Sequence, residues 1–312
     1  MPGALARGTR PAPYLRALVR LLRPHQWIKN AFVLVGLVFG HGWTDASLIG
    51  ASLAVFAAFC LASSAVYVGN DIMDRDADRA HPGKRNRPIA NGAVGVPAAW
   101  LFCGALAASA LLAAGLISDA ALAIVACYLV LNAAYSAGLK HVAILDVVLI
   151  AAGFMLRILA GTSGNGIEPS KWLLFVGLML TLFLGFAKRR AELTALEGRA
   201  GDAADDAPGV AQRPVLERYS TPMLDRMVAT TAVGAAAGYG LYTVAPDTVL
   251  LHGTNGLILT LPFVVYGLFR YLFLVHRRGG GADPAWELLH DPHLIAATLA
   301  WFAATCIVLA GR

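Results

Sequence analysis

Nine stretches of the chain are dominated by apolar residues, at about 24–41, 47–73, 98–117, 120–139, 142–161, 172–187, 223–244, 257–275 and 294–311. Most approach the ~20 residues that a helix needs to cross a bilayer. Period-two alternation is absent and Ala, Leu and Gly dominate, so the pattern predicts helices and no sheet. The first stretch is the most polar, with Gln26, Lys29 and Asn30 in its opening turns. Gly234 and Gly238 have the GxxxG spacing that lets helices approach closely. Such small-residue faces also permit a homo-oligomer. The predicted fold class is an all-α polytopic membrane protein with nine transmembrane helices. A basic arm, 1–23, precedes a single transmembrane domain, 24–311, with hydrophilic loops at 75–97 and 188–220. The polar, breaker-rich stretch 197–217 separates six spans from three without making separate domains.

Composition excludes the soluble alternative. Of 312 residues, 58% are apolar and 14% charged, against about 25% charged in soluble domains. The positive charges are unevenly placed. The arm, the 75–97 loop, Lys140, the 188–220 connection and Arg277 with Arg278 together hold 19 of the 25 Lys and Arg. By the positive-inside rule those segments are cytosolic, which places the N-terminus inside and the C-terminus outside a plasma membrane. That arrangement requires an odd number of spans. The four cysteines, Cys60, Cys103, Cys127 and Cys306, sit singly in apolar runs. Without a CxxC pair they suggest neither a metal knuckle nor a disulfide framework.

The candidate chemistry lies where the second stretch ends. Asn70, Asp74 and Asp78 are spaced i, i+4, i+8, which stacks them on one helix face ~6 Å apart. Two carboxylates and an amide oxygen suit Mg2+, which keeps waters and shares its coordination with substrate phosphates. Asp71 and Asp76 point elsewhere, where they orient neighbouring cations. Lys84, Arg85 and Arg87 follow within four residues, and cations beside an acidic ladder form a plausible diphosphate site. A solvated acidic helix end is the bland alternative, but acidic groups there oppose the helix dipole. Lys29 and Arg157 lie inside apolar stretches, where ionisable residues are candidates for function. Tyr135 and Lys140 fall at the end of the fourth stretch, within reach of a phosphate.

The run Asn70-Asp-x-x-Asp74-x-x-x-Asp78, then His81-Pro-x-Lys84-Arg85-x-Arg87-Pro88, resembles the first aspartate motif of UbiA-type intramembrane transferases. The resemblance implies nine helices around a cytosol-facing cavity, and Mg2+ bound by Asn70, Asp74 and Asp78. It implies that Asp71, Asp74, Asp78 and Lys84 act at the reacting centre. Other pieces are similar to the decaprenyl-phosphate phosphoribosyltransferase branch: Arg23-Pro-His-Gln-Trp-Ile-Lys-Asn30, Tyr135-Ser136-x-x-Leu139-Lys140, and Leu156-Arg157-x-x-Ala160-Gly161. Prenylating relatives carry a second DxxxD motif after the sixth span. Here that position reads Lys188-Arg189-Arg190-Ala-Glu192, which implies sites for additional phosphates. Asp202 and Asp206 have the DxxxD spacing but lie in a breaker-rich loop.

The branch implies phosphoribosyl pyrophosphate as donor and a polyprenyl phosphate as acceptor, for arabinogalactan synthesis. Its substrate-binding set would be Lys29, Arg85, Arg87, Tyr135, Lys140, Arg157, Lys188, Arg189 and Glu192. An aromatic prenyltransferase of quinone or haem biosynthesis fits the acidic ladder too. A transporter is the reading from another class, opposed by charges clustered at helix ends of one side.

Overall fold

The computed structural model describes residues 11–39, 44–202, 215–277 and 284–311. Among them there is no strand. The α-helices are α1 (Pro11–Leu22), α2 (Val35–Phe39), α3 (Ala46–Met73), α4 (Arg75–Ala80), α5 (Val96–Gly115), α6 (Asp119–Ala137) and α7 (Leu145–Gly161). They continue with α8 (Lys171–Asp202), α9 (Thr221–Val244), α10 (Pro246–His252), α11 (Leu261–Arg277), α12 (Pro284–His290) and α13 (Pro292–Ala310). Among the described residues, seven helical segments are long and apolar enough to cross a membrane. The chain is therefore an integral membrane protein.

Two of the nine expected spans differ from the rest. The stretch 24–41 is a 3-10 segment, Pro24–Leu34, followed by the five-residue α2. Its polar residues explain this: Asn30 is fully buried and bonds Ser63 Oγ at 3.3 Å, while Trp27 Nε1 donates to Ser64 Oγ at 3.2 Å. These anchors dock the segment on α3. The stretch 223–244 does form one long helix, α9, but its many Gly, Thr and Tyr residues make it less apolar than the seven.

Helix boundaries follow local chemistry. Asp45 caps α3 by accepting from Ser47 N–H at 2.8 Å and Leu48 N–H at 3.3 Å, satisfying amides that a helix start leaves open. Asp291 caps α13 in the same way, with Pro292 at the first helical position, where its missing N–H costs nothing.

The chain divides into two compact units, one of residues 1–136 with 159–167 and one of residues 137–158 with 168–312. In the first, α3 packs along α5 and α1 lies on α3, over a core that includes Leu21, Val68, Ile89 and Ala99. Gly161 meets the 3-10 segment so closely that a Cβ there would stand 1.7 Å from the Val33 carbonyl oxygen. In the second unit α8 packs along α9, with Phe183, Leu224, Val228 and Leu268 in its core. The glycine pair acts here: a Cβ at Gly238 would lie 2.6 Å from Phe175 Cε1, and one at Gly234 2.9 Å from Met179 Sδ.

Candidate active site

The acidic end of α3 belongs to the first unit. The helix breaks at Asp74, yet Asp74 N–H still bonds the Asn70 carbonyl at 2.9 Å and Asp78 N–H the Asp74 carbonyl at 2.8 Å. The expected i, i+4, i+8 register is thus carried across the break into α4. The side chains are used less uniformly than the spacing implies. Asp71 and Asp78 are both buried and share Arg87, whose Nη1 lies 3.0 Å from Asp71 Oδ1 and 2.7 Å from Asp78 Oδ2. Arg23 completes the cluster at 2.6 Å from Asp71, with its guanidinium over the Tyr67 ring.

Asp71 therefore binds two cations of the fold, as its expected orienting role requires. Asp71, expected at the reacting centre, is buried between Arg23 and Arg87. Asp76 is exposed and pairs with Arg75 and Arg79. Ser136 of α6 donates to Asn70 Oδ1, which holds the amide oxygen in place. Asp74 is half-buried at the break.

A metal fits this end only in part. Among the described residues no group of three or more His, Cys, Asp or Glu is set for a metal. One amide and two carboxylates, one of them shared with an arginine, make an incomplete oxygen set. Such a set suits Mg2+, which fills its remaining positions with water and phosphate oxygens. Beyond α4, Lys84 is half-buried and Arg85 exposed, in turns where Arg85 N–H bonds the His81 carbonyl at 3.0 Å. Arg79 Nε ties this loop down on the Ala90 carbonyl at 2.8 Å. Lys29 and Tyr135 are half-buried in the same unit.

The second unit carries the other expected residues. Arg189 is 1% exposed; its Nε lies 2.6 Å from Asp146 Oδ2 and its Nη1 2.5 Å from Glu192 Oε2. Arg189 and Glu192, expected on substrate phosphates, pair with each other, and Arg189 pairs with the buried Asp146. Asp146 also accepts from Tyr219 Oη at 2.7 Å, and Tyr219 Oη accepts the Ile144 N–H at 2.6 Å. Burial, and then donation to Asp146, push the Tyr219 hydroxyl well above the usual tyrosine range, so it stays protonated.

Arg190 bonds Asp225 Oδ1 at 3.0 Å and the Val275 carbonyl at 3.1 Å, and His276 reaches the same carboxylate. Arg157 is buried, donates to the Gly153 carbonyl at 2.8 Å and stacks over Phe154. Lys140 and Lys188 are half-buried. Asp206 lies outside the described residues, as does the side chain of Asp202. Sequence reasoning missed Arg23 as an acid partner, and Tyr219, Asp225 and His276 altogether. Their only sequence signal is a polar or aromatic residue near a helix end.

A family model for the UbiA prenyltransferase family matches residues 30–291. The chain belongs to the UbiA prenyltransferase family. It is thus a transferase, and it is similar along most of its length to proteins named decaprenyl-phosphate phosphoribosyltransferase. That from Mycolicibacterium smegmatis is 33% identical over 93% of this chain and 92% of the relative. That from Corynebacterium glutamicum is 35% identical over 94% of this chain and 86% of the relative. Among solved structures, a UbiA homolog from Archaeoglobus fulgidus bound to DMAPP and Mg2+ superposes with a TM-score of 0.68. It covers 95% of this chain and 100% of that one at 21% identity, a likeness of fold.

Proposed function

We propose that this transferase moves the 5-phosphoribosyl group of phosphoribosyl pyrophosphate onto a polyprenyl phosphate of the decaprenyl type, releasing pyrophosphate, on the cytosolic side of the plasma membrane for arabinogalactan synthesis. The observation that carries the reading is the likeness, over more than nine-tenths of the chain, to relatives named for that activity. Half-buried Lys188 supports it, at a position where the resemblance implies a carboxylate in prenylating members.

In this reading Asn70, Asp74 and Asp78 would hold Mg2+, which would supply charge to neutralise the diphosphate. Lys84 and Arg85 add charge beside it, and Lys29, Tyr135, Lys140, Arg157 and Lys188 bind phosphate groups of the two substrates. Arg87, Arg189 and Glu192 hold the framework in which those groups sit. An oxygen of the lipid phosphate attacks the anomeric carbon, the bond to pyrophosphate breaks, and in-line attack inverts the centre. The attacking phosphate is already anionic near neutral pH, so no strong general base is required. Rate enhancement comes from positioning and from neutralising the leaving group.

The family description favours a second reading, prenyl transfer, for which an aromatic acid is the acceptor to test. One experiment separates them. Purified protein is incubated with Mg2+ and either labelled phosphoribosyl pyrophosphate plus polyprenyl phosphate, or a labelled prenyl diphosphate plus 4-hydroxybenzoate. Ribosyl label in the lipid phase supports the proposal; prenylated acid without ribosyl transfer replaces it.

A further inference from the structure

The buried network in the second unit ends on an unusual piece of backbone. Ile144 has φ of +69°, a left-handed conformation that is a real outlier for a β-branched residue. Such strain persists only where surrounding contacts impose it. The contact here is Tyr219. Its Oη accepts the Ile144 N–H at 2.6 Å and donates to Asp146 Oδ1 at 2.7 Å. The other Asp146 oxygen is held by Arg189, itself clamped by Glu192. Lys140 stands four residues before Ile144, in the 3-10 turn Leu139–His141, and the Val142 carbonyl accepts the Asp146 N–H at 3.0 Å.

We propose that Tyr219 is a positioning residue: its hydroxyl fastens the strained 138–146 turn to the Asp146–Arg189–Glu192 network and thereby fixes Lys140 for a substrate phosphate. This rests on the phosphate role given to Lys140 above. The chemistry suits a phenol. One oxygen must donate to a carboxylate and accept from an amide at once, which a protonated tyrosine does and a phenylalanine cannot. Burial of Asp146 and Arg189 makes the anchor rigid, since a buried ion pair tolerates little displacement before its charges go uncompensated. Arg189 and Glu192 therefore act on substrate through the turn.

The test is a double-mutant cycle in the full-length protein, with Tyr219→Phe, Lys140→Ala and the pair. Tyr219→Phe leaves the Ile144 amide and Asp146 Oδ1 without their shared partner, and kcat/KM should fall roughly tenfold to a hundredfold, mostly through KM. In the Lys140→Ala background the same change should cost less than about twofold, because coupled residues are not additive. Equal costs in both backgrounds mean a purely structural tyrosine and overturn the proposal. Hydrogen exchange gives a readout free of activity: the Ile144 amide should be protected in the wild type and exchange at least about tenfold faster in Tyr219→Phe. An unprotected Ile144 amide in the wild type overturns the anchor even if the variant does not fold. If the wild type transfers no ribosyl group, the proposed function falls. The cycle is then read by calorimetric binding of inorganic pyrophosphate, where the same non-additivity decides the matter.

Discussion

Arg87 Nη1 lies 2.7 Å from Asp78 Oδ2, so one of the two carboxylates expected to hold Mg2+ is at the same time an ion-pair partner inside the fold. The two roles separate by mutation. Asp74→Ala should cut turnover at least ~10²-fold, the scale of losing one preorganised electrostatic contact, with thermal stability near that of the wild type. Asp78→Ala should lose as much turnover and also melt lower, because Arg87 loses a buried partner. Label transfer with and without chelator, beside melting curves, checks both. Full turnover in chelator would remove the metal from the mechanism.

Gly161 offers a test of the packing that seats the Trp27–Asn30 segment. A methyl group there would stand 1.7 Å from the Val33 carbonyl oxygen, so the backbones must move apart. Gly161→Ala should lower the melting temperature in detergent by several degrees, as expected for ~1–3 kcal/mol of overpacking. Gly50 is the control: a Cβ there meets nothing within 4 Å, and Gly50→Ala on a helix should be neutral or slightly stabilising. Equal melting of the two variants would refute the close approach.

These contrasts show which features were legible in the sequence. Spans such as 47–73 and 294–311 were plain, because apolar length alone signals a membrane helix. The Asn70–Asp74–Asp78 register was plain too, since helical spacing survives even across the break at Asp74. Arg189 was not: a basic residue beside other basic residues gives no sign of its partner Asp146, 43 positions away. Ile144 left no trace, since a left-handed β-branched residue contradicts its own propensity and is imposed by Tyr219 from outside. The irregular 3-10 course of the 24–34 part was hidden for a related reason. Its polar residues are anchors on Ser63 and Ser64, and only tertiary contact reveals them.

Asp291 predicts an acid-sensitive joint between α11 and α13. Arg270 donates to both of its oxygens, at 3.1 and 2.7 Å, and the His293 and Leu294 amides bond Oδ1. Arg270's hydrogen bonds are the main reason that the carboxyl is pulled from 3.8 to about 2. A group with a depressed folded pKa stabilises the fold fully above its unfolded value, and that contribution fades as pH falls through the folded one. The wild type should therefore melt above Asp291→Asn by a constant margin at pH 5–7. The margin should close between pH 3.8 and about 2. A margin that persists at the acid end would show that Asp291 acts as a cap alone.

Orientation rests on where the cations fall. With 19 of 25 Lys and Arg on one set of segments, residues 75–97 and 188–220 are expected in the cytosol. Ala204 lies in that connection, outside the described residues. A single cysteine there, in a cysteine-free background, should resist an impermeant thiol reagent in intact cells and react once the membrane is opened. Labelling from outside would invert the topology.

Lys188 tests which diphosphate the site is built for. Of the three cations that follow Ala187, Arg189 is buried on Asp146 and Glu192, and Arg190 bridges Asp225 and the Val275 carbonyl. Lys188 is half-buried, at the position where the resemblance implies a metal-binding carboxylate in prenylating members. In the proposed reaction a cation there would neutralise a ribose 5-phosphate or a lipid phosphate, whereas a protonated lysine cannot ligate Mg2+. A hydrogen bond to a charged group is worth ~1.5–3 kcal/mol, so Lys188→Ala should weaken the use of one substrate roughly tenfold to a hundredfold. Separate titrations of phosphoribosyl pyrophosphate and polyprenyl phosphate would show which KM carries the loss. Lys188→Arg should recover part of it, since charge is retained, whereas Lys188→Asp should fall below Lys188→Ala by placing an anion beside a phosphate. Lys188→Asp matching or exceeding the wild type in the presence of Mg2+ would mean that the position serves a metal, and the reading would pass to prenyl transfer.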